Sequence, residues 1–207
     1  MGFTSSGLAL NGHAVINGTR LRLTDDGTGE VASAWYSTPV NVQAFTQDFS
    51  FQLTNANADG MAFVIQNAGT QAVGPAGAGL GYGATHPGGQ SGIPSSVAVK
   101  FDLYNNDGEG RSSTGLYTEG ASPTVPALDM TNSGVMTSGG LNLHSGHVFN
   151  VHMSYDGMTL SMTVTDATTQ EVFSTSWPID IPDTVGGLRH MLASRPAQAV
   201  QPRFRRF

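Results

Sequence analysis

Apolar and polar residues alternate along most of this chain, and the period is two rather than three or four. Leu21 and Leu23 alternate with Arg20, Arg22 and Thr24, and Phe45, Phe49 and Phe51 fit one face of a strand or strand pair. A period of two puts successive side chains on opposite faces of an extended segment. Met61 to Ile65 is instead a short apolar run, and Val97-Ala98-Val99-Lys100-Phe101 is another; such runs suit buried strands. The clearest hairpin lies later. Phe149, Val151, Met153 and Tyr155 alternate with Asn150, His152 and Ser154, then Asp156-Gly157 follows, and Met158, Leu160, Met162 and Val164 alternate on the way back. Asp-Gly tolerates positive φ and favours a two-residue turn. Val172 to Trp177 reads as the next strand, closed by Pro178. Helical periodicity is hard to find, and no fixed-period repeat appears. Gly74 to Gly92 is the longest of several Gly-rich connections; loops of that length are usually functional or disordered. The strand spacing predicts an all-β, antiparallel β-sandwich with binding loops at one end.

Composition supports this and removes several function classes. The chain has 207 residues, long enough for one domain with a substantial core. Charged residues make up only 12%, Gly numbers 27, and the net charge is −6. An acidic chain has no electrostatic footprint for nucleic acid. With no cysteine there is neither a disulfide framework nor a thiolate metal site. No stretch approaches a membrane span. Met1-Gly2-Phe3 leads directly into polar sequence, so no signal peptide is expected in this chain.

Four segments carry more specific wording. Ala58-Asp59-Gly60-Met61-Ala62-Phe63-Val64-Ile65 joins an Ala-Asp-Gly to an apolar strand. Gly77-Ala78-Gly79-Leu80-Gly81 is a Gly-rich loop. Val97 to Asn106 ends in Lys100-Phe101-Asp102-Leu103-Tyr104-Asn105-Asn106. Ser33-Ala34-Trp35-Tyr36-Ser37-Thr38-Pro39-Val40 precedes the Phe45, Phe49, Phe51 pattern. Their order resembles that of the legume (L-type) lectins, over roughly residues 3 to 187. Each motif alone is weak, and the ordered set is specific. The wording is most similar to the bacterial lectin-like branch. The resemblance implies a concanavalin A-like jelly roll over residues 1–187 that binds a glycan or polysaccharide. It also implies an extracellular or cell-surface location. Lectins of this type often dimerise through sheet edges, and nothing in this sequence fixes whether this one forms a homodimer.

The resemblance assigns sugar contacts to Asp59, to a backbone amide at or beside Ala78, and to Asn106 and Tyr104. Asp59 would accept from two hydroxyls, the Asn106 amide would donate to one of them, and the Tyr104 ring would pack on the sugar face. Gly79 stands where the family has an aromatic, and Ala78 replaces a glycine, so the pocket wall differs and the sugar's identity does not carry over. The plain alternative is that Asp59-Gly60 is only a turn.

In this family a cis peptide precedes the Asp, and a bound calcium helps hold that geometry. The matching donors are the Asp102 carboxylate, the Tyr104 carbonyl, the Asn106 side-chain oxygen and the Glu109 carboxylate, with Asp107 competing for the last place. All are hard oxygen donors, as calcium requires. The family's second metal needs a Glu at the position of Lys100 and a His near Ser113, and neither is present. A transition metal is therefore not expected. Two readings of Lys100 stay open: its ammonium replaces the lost cation beside Asp102, or it snorkels to the surface.

Two alternatives to a lectin remain: a glycoside hydrolase on the same sandwich, or a structural or adhesive domain with a decayed sugar site. A hydrolase needs two carboxylates facing across a cleft. Glu30, Glu109, Glu119 and Glu171 offer no such pair on one strand, so no enzyme activity is expected. His144, His147 and His152 lack helical metal-ligand spacing and read as ordinary polar-face residues.

After Val185-Gly186-Gly187 the alternation stops and the charge turns basic, through Arg203, Arg205 and Arg206. Permissible codons for Leu188 through Val200, read in an offset frame, can spell Ser-Ala-Tyr-Ala-Gly-Phe-Thr-Ala-Gly-Thr-Gly-Gly, close to the tail the family expects. Residues 188–207 are thus expected to be an aberrant basic tail from a frameshift, or else a genuinely divergent one. The family's closing strands are expected to be missing or aberrant, with uncovered core, lower stability and weakened sugar binding as the consequence.

Overall fold

The alternating segments are strands in the computed structural model, which describes residues 3–25, 27–55, 57–89, 91–131 and 140–186, and the backbone of 197–200. In chain order they are β1 (Leu8–Gly12), β2 (Val15–Asn17), β3 (Arg20–Arg22), β4 (Ala32–Tyr36), β5 (Phe45–Gln52), β6 (Gly60–Gln66), β7 (Ser96–Asp102), β8 (Ser113–Thr114), β9 (Leu116–Thr118), β10 (Leu128–Asp129), β11 (Val148–Tyr155), β12 (Thr159–Asp166), β13 (Val172–Pro178) and β14 (Ala197–Val200). One helical turn, α1 (Ile181–Thr184), is capped by the Asp180 side chain.

Two antiparallel sheets form the sandwich. One runs β1-β4-β14-β6-β7-β8-β10 with β9 also on β7, and the other runs β13-β12-β11-β5. Their facing sides bury the main core. Phe49 stacks on Phe63 at 5.5 Å and Phe51 meets Phe101 at 4.8 Å between ring centroids, so each contact joins β5 to the opposite sheet. The alternation in β11 and β12 has a simple cause. Phe149, Val151, Met153, Leu160, Met162 and Val164 enter this core, while Asn150 and His152 face outward.

β6 and β7 do not alternate because both of their faces are covered. Met61, Phe63, Val97, Val99 and Phe101 belong to the core between the sheets. Ala62, Val64 and Ala98 belong to a second cluster with Trp35, Tyr82, Ile93 and Tyr117. Tyr82, from the Gly-rich connection, and Ile93 just beyond it belong to that cluster, with Ala72 packed against it. Trp35 Nε1 donates to the Ala72 carbonyl at 2.8 Å, and Tyr82 OH accepts from the Gly120 amide at 3.1 Å. The backbones of Gly92 and Gly120 touch: a Cβ on Gly92 would stand 2.0 Å from the Gly120 oxygen. The long loop is thus packed structure, which explains its glycines.

The hairpin after β11 reverses through two residues, as expected, but one position later: Gly157 and Met158 cap it, with the Asp156 amide on the Thr159 oxygen at 3.4 Å and Tyr155 opposite Leu160. Asp156, Gly157 and Met158 lie between the strands, Asp156 Oδ1 accepts from the Met158 and Thr159 amides, and Met158 is 76% exposed. The Asx-type bonds of Asp156 shape this reversal. Apolar alternation had included Met158 in the return strand, which starts one residue later.

At the C-terminus β14 lies between β4 and β6, antiparallel to both. Residues 187–196 and 201–207, on which most of the frameshift reading falls, lie outside the described residues. Among the described residues β5 pairs only with β11, and a groove of about 700 Å³ runs over the outward face of β5, β11 and β12, with Phe3, Leu21 and Tyr36 on its other side.

Candidate functional site

Gly60 opens β6 opposite Asp102, the last residue of β7. One residue before it the chain carries a cis peptide between Ala58 and Asp59. One residue beyond Asp102, the Leu103 amide donates to the Asp59 carbonyl at 2.7 Å. Gly60 has φ 155°, and a Cβ there would stand 2.3 Å from the Phe101 oxygen. Only glycine lets the two backbones approach this closely. The Asp59 turn and the loop after β7 therefore leave the sheet together, at one end.

Asp59 is half-buried and lines a narrow cleft with Glu30, Gly60, Ala76, Gly77 and Gly81. The far wall is the short 3₁₀ turn Gly77–Gly79, closed by Leu80 in a left-handed conformation with its amide on the Gly77 oxygen at 2.9 Å. Ala78 is half-buried in this turn and Gly79 is buried. Of the residues the sequence singled out, Asp59 lines the cleft, while Ala78 and Gly79 belong to the turn whose flanking Gly77 and Leu80 line it. Tyr104, 49% exposed, and the exposed Asn106 stand on the adjoining loop, tied to Asp59 through Leu103.

That loop is held from inside. Asp102 is buried: its Oδ1 accepts from the Tyr104 amide at 3.0 Å, and its Oδ2 accepts from Lys100 Nζ at 3.1 Å. Lys100 does not reach the surface. It is 0% exposed and also donates to the Thr124 carbonyl at 2.7 Å, with the Tyr117 ring 5.8 Å away. Burial pushes the Lys100 ammonium down and the Asp102 carboxyl up to about 6, and their mutual attraction opposes both shifts.

Glu109 and Asp107 differ sharply. Glu109 is buried at 4% exposed, while Asp107 is exposed and gives its backbone amide to Glu109 Oε2. Glu109 Oε1 is buried without a hydrogen-bond partner, and so are Ser113 Oγ and Thr114 Oγ1 on β8. Ser113 is the register partner of Asp102. Buried oxygens left bare are costly unless something meets them. The bare Glu109 oxygen beside the loop that follows Asp102 is of the hard kind calcium takes, and the Tyr104 carbonyl and Asn106 side chain on that loop would be the neutral oxygens to complete such a site. Among the described residues no group of three His, Asp or Glu side chains converges, so neutral oxygens must complete any shell.

Two further residues belong to this end of the molecule. His144 Nε2 lies 3.0 Å from the Leu103 carbonyl and 2.9 Å from the Arg111 carbonyl, so one imidazole spans both ends of the loop. Its place depends on a 3₁₀ turn whose Asn142 side chain accepts from the His144 amide at 3.0 Å. Glu30 reaches the cleft, and its Oε2 accepts from the Asp25 amide at 2.8 Å. Sequence spacing signals neither residue, since both arrive from remote segments. His147 and His152 instead pair with Asp166 and Asp48, at 2.8 Å and 2.7 Å, away from the cleft.

An antiparallel jelly-roll sandwich with Asp59, a Gly-rich turn and the loop after β7 gathered at one end defines a lectin-type fold. The chain belongs to the legume lectin domain family, whose model matches residues 1–190. The fold is similar to that of basic winged bean lectin, solved with Tn-antigen: TM-score 0.71 and 21% identity over 95% of this chain and 82% of that one. Arcelin-5, a lectin-like defense protein from Phaseolus vulgaris, has TM-score 0.69 and 18% identity over 97% and 92% of the two chains. The exoplasmic/lumenal domain of VIP36, in a Ca2+/Man3GlcNAc-bound form, has TM-score 0.55 and 10% identity over 95% and 79%. At these identities the likeness is one of fold.

Proposed function

We propose that this protein is a calcium-dependent lectin that grips one sugar residue between Asp59, the Gly77–Gly81 turn and the loop bearing Tyr104 and Asn106. The observation that carries the reading is the hydrogen bond from Leu103 to the Asp59 carbonyl, which sets the acidic turn beside that loop. A half-buried carboxylate facing a turn with backbone donors suits vicinal hydroxyls, which donate to one group and accept from the other. The half-exposed Tyr104 ring offers an apolar platform for a sugar face. Bound calcium would supply charge to Asp102 and Glu109 and fix the loop. Asp59 accepts hydroxyl protons, Asn106 donates its amide, and Tyr104 excludes water from the sugar's apolar face.

Within the family we place the chain in the bacterial branch, on the Lys100 to Asn106 wording, and expect it to act outside the cell. We read residues 188–207 as the product of a shifted frame; sequencing the encoding DNA tests that, and an offset frame without lectin-like sequence ends it. The hydrolase alternative would require Glu30 and Asp59 to act as a pair, and Glu30 is already engaged by the Asp25 amide.

The deciding experiment is a glycan array with the purified chain, run in calcium and in EDTA, beside Asp59→Ala. Binding lost both with chelator and in the variant supports the lectin. Slow release of products from oligosaccharides supports the hydrolase, and silence on every glycan supports the structural reading.

A further inference from the structure

We propose that the Lys100 ammonium is a built-in cation of the binding loop: it occupies one side of Asp102 permanently, so the site takes one divalent cation and no second. This deepens the calcium reading above and rests on it.

Three observations carry the inference. First, Lys100 is wholly enclosed, and its contacts are those of an ion held in place: the Asp102 carboxylate, the Thr124 carbonyl and the Tyr117 ring. A lysine on a central strand is kept charged inside a protein only where such partners are supplied. Second, the local charges do not balance. Asp102 and Glu109 are both buried, and Lys100 answers only one of them. Third, Glu109 Oε1 and the Oγ of Ser113, the residue opposite Asp102, have no partner, whereas both Asp102 oxygens already accept one bond; Thr114, next along β8, points to the other face. A cation entering here would find its free oxygens at Glu109 and Ser113. A second divalent ion on the other side of Asp102 would meet an ammonium 3.1 Å from the same carboxylate oxygen. Two cations crowded onto one carboxylate oxygen repel each other.

A consequence follows for the metal-free protein. Asp102 keeps its counter-charge when the divalent ion is removed, so the end of β7 stays in place and only the loop beyond it loosens.

The test is metal counting on the full chain. Metal-stripped protein is titrated with calcium by calorimetry, then with manganese on the calcium-saturated form, and bound metal is measured by elemental analysis. One calcium per chain and no added manganese is the expected result. Two ions per chain overturns the role of Lys100 while leaving the calcium reading intact; no ion at all overturns both. Variants supply an independent readout. Lys100→Met should make the fold cation-dependent, with chelator lowering its Tm by about 10 °C more than in the parent protein and calcium restoring it. Lys100→Arg should respond as the parent does. A stripped Lys100→Met protein that melts with the parent would overturn the proposal. If Lys100→Met does not fold, the metal count on the unmodified chain decides alone.

Discussion

The Asp59 carbonyl accepts the Leu103 amide at 2.7 Å, while the Asp59 side chain lines the cleft. One residue thus does two separable things: its backbone fixes the loop, and its carboxylate faces the cleft. Asp59→Asn should separate them. The backbone bond is untouched, so the protein should still fold with the loop in place. The carboxylate's bonds to two hydroxyls should be lost, at about 1.5–3 kcal/mol each for a charged acceptor. Sugar affinity should fall at least ~100-fold. Calorimetry with the best ligand from the array measures this, and unchanged affinity would remove Asp59 from the site.

Gly60 sets the approach of β6 to β7 at the cleft floor. Gly60→Ala places a methyl 2.3 Å from the Phe101 oxygen, at φ 155°. The strands must part or the turn must rebuild, and either costs about 2–4 kcal/mol. Urea denaturation should show that loss. A variant as stable as the parent would mean the register at Gly60 and Asp102 is slack.

His144 holds the loop by both ends, through the carbonyls of Leu103 and Arg111. His144→Phe keeps the ring and removes the donor, at about 1 kcal/mol of net hydrogen-bond stability. The larger effect should be local: faster hydrogen exchange at the amides of residues 104–110, and calcium affinity reduced about tenfold, with β11 and β12 unchanged. His144→Gln, which restores a donor, should recover part of the protection. Equal exchange in all three proteins would show that the loop holds itself.

Much of this could be read from the chain. Alternation at Phe149–Tyr155 and the bare apolar run at Met61–Ile65 reflect a real physical difference, one covered face against two. The ordered motifs link Asp59 to the loop after β7 only through the family resemblance, and the pairing of β6 with β7 that joins them is a contact between segments remote in sequence. What escaped depends on remote contacts. Whether Lys100 snorkels or is buried turns on Thr124 and Tyr117 closing over it. Whether Glu109 or Asp107 faces inward turns on how the loop folds. His144 and Glu30 arrive from segments with no spacing relation to the motifs. Met158 kept its period and still lies in a turn, because the bonds to Asp156 outrank alternation there.

Asp166 governs the connection that follows β12, and its charge should appear in the acid stability of the protein. Its Oδ1 accepts from the Thr168 and Thr169 amides at 2.8 Å and 3.1 Å, and its Oδ2 faces His147 Nδ1 at 2.8 Å. Burial pulls its pKa upward, but the bonds from His147, Thr168 and Thr169 prevail and hold the carboxyl below its ordinary value. A folded pKa below the unfolded one means that the unfolded chain takes up its proton first as pH falls. The stabilisation is therefore complete above the unfolded value of about 3.9 and is lost as pH drops through the folded one. Asp166→Asn should cost about 1–2 kcal/mol at pH 7. As pH falls below the unfolded value of about 3.9 the gap to the parent protein should narrow. Urea denaturation at pH 7 and at pH 2.5 measures both gaps. Equal gaps would mean that the side chain's shape, rather than its charge, holds the turn.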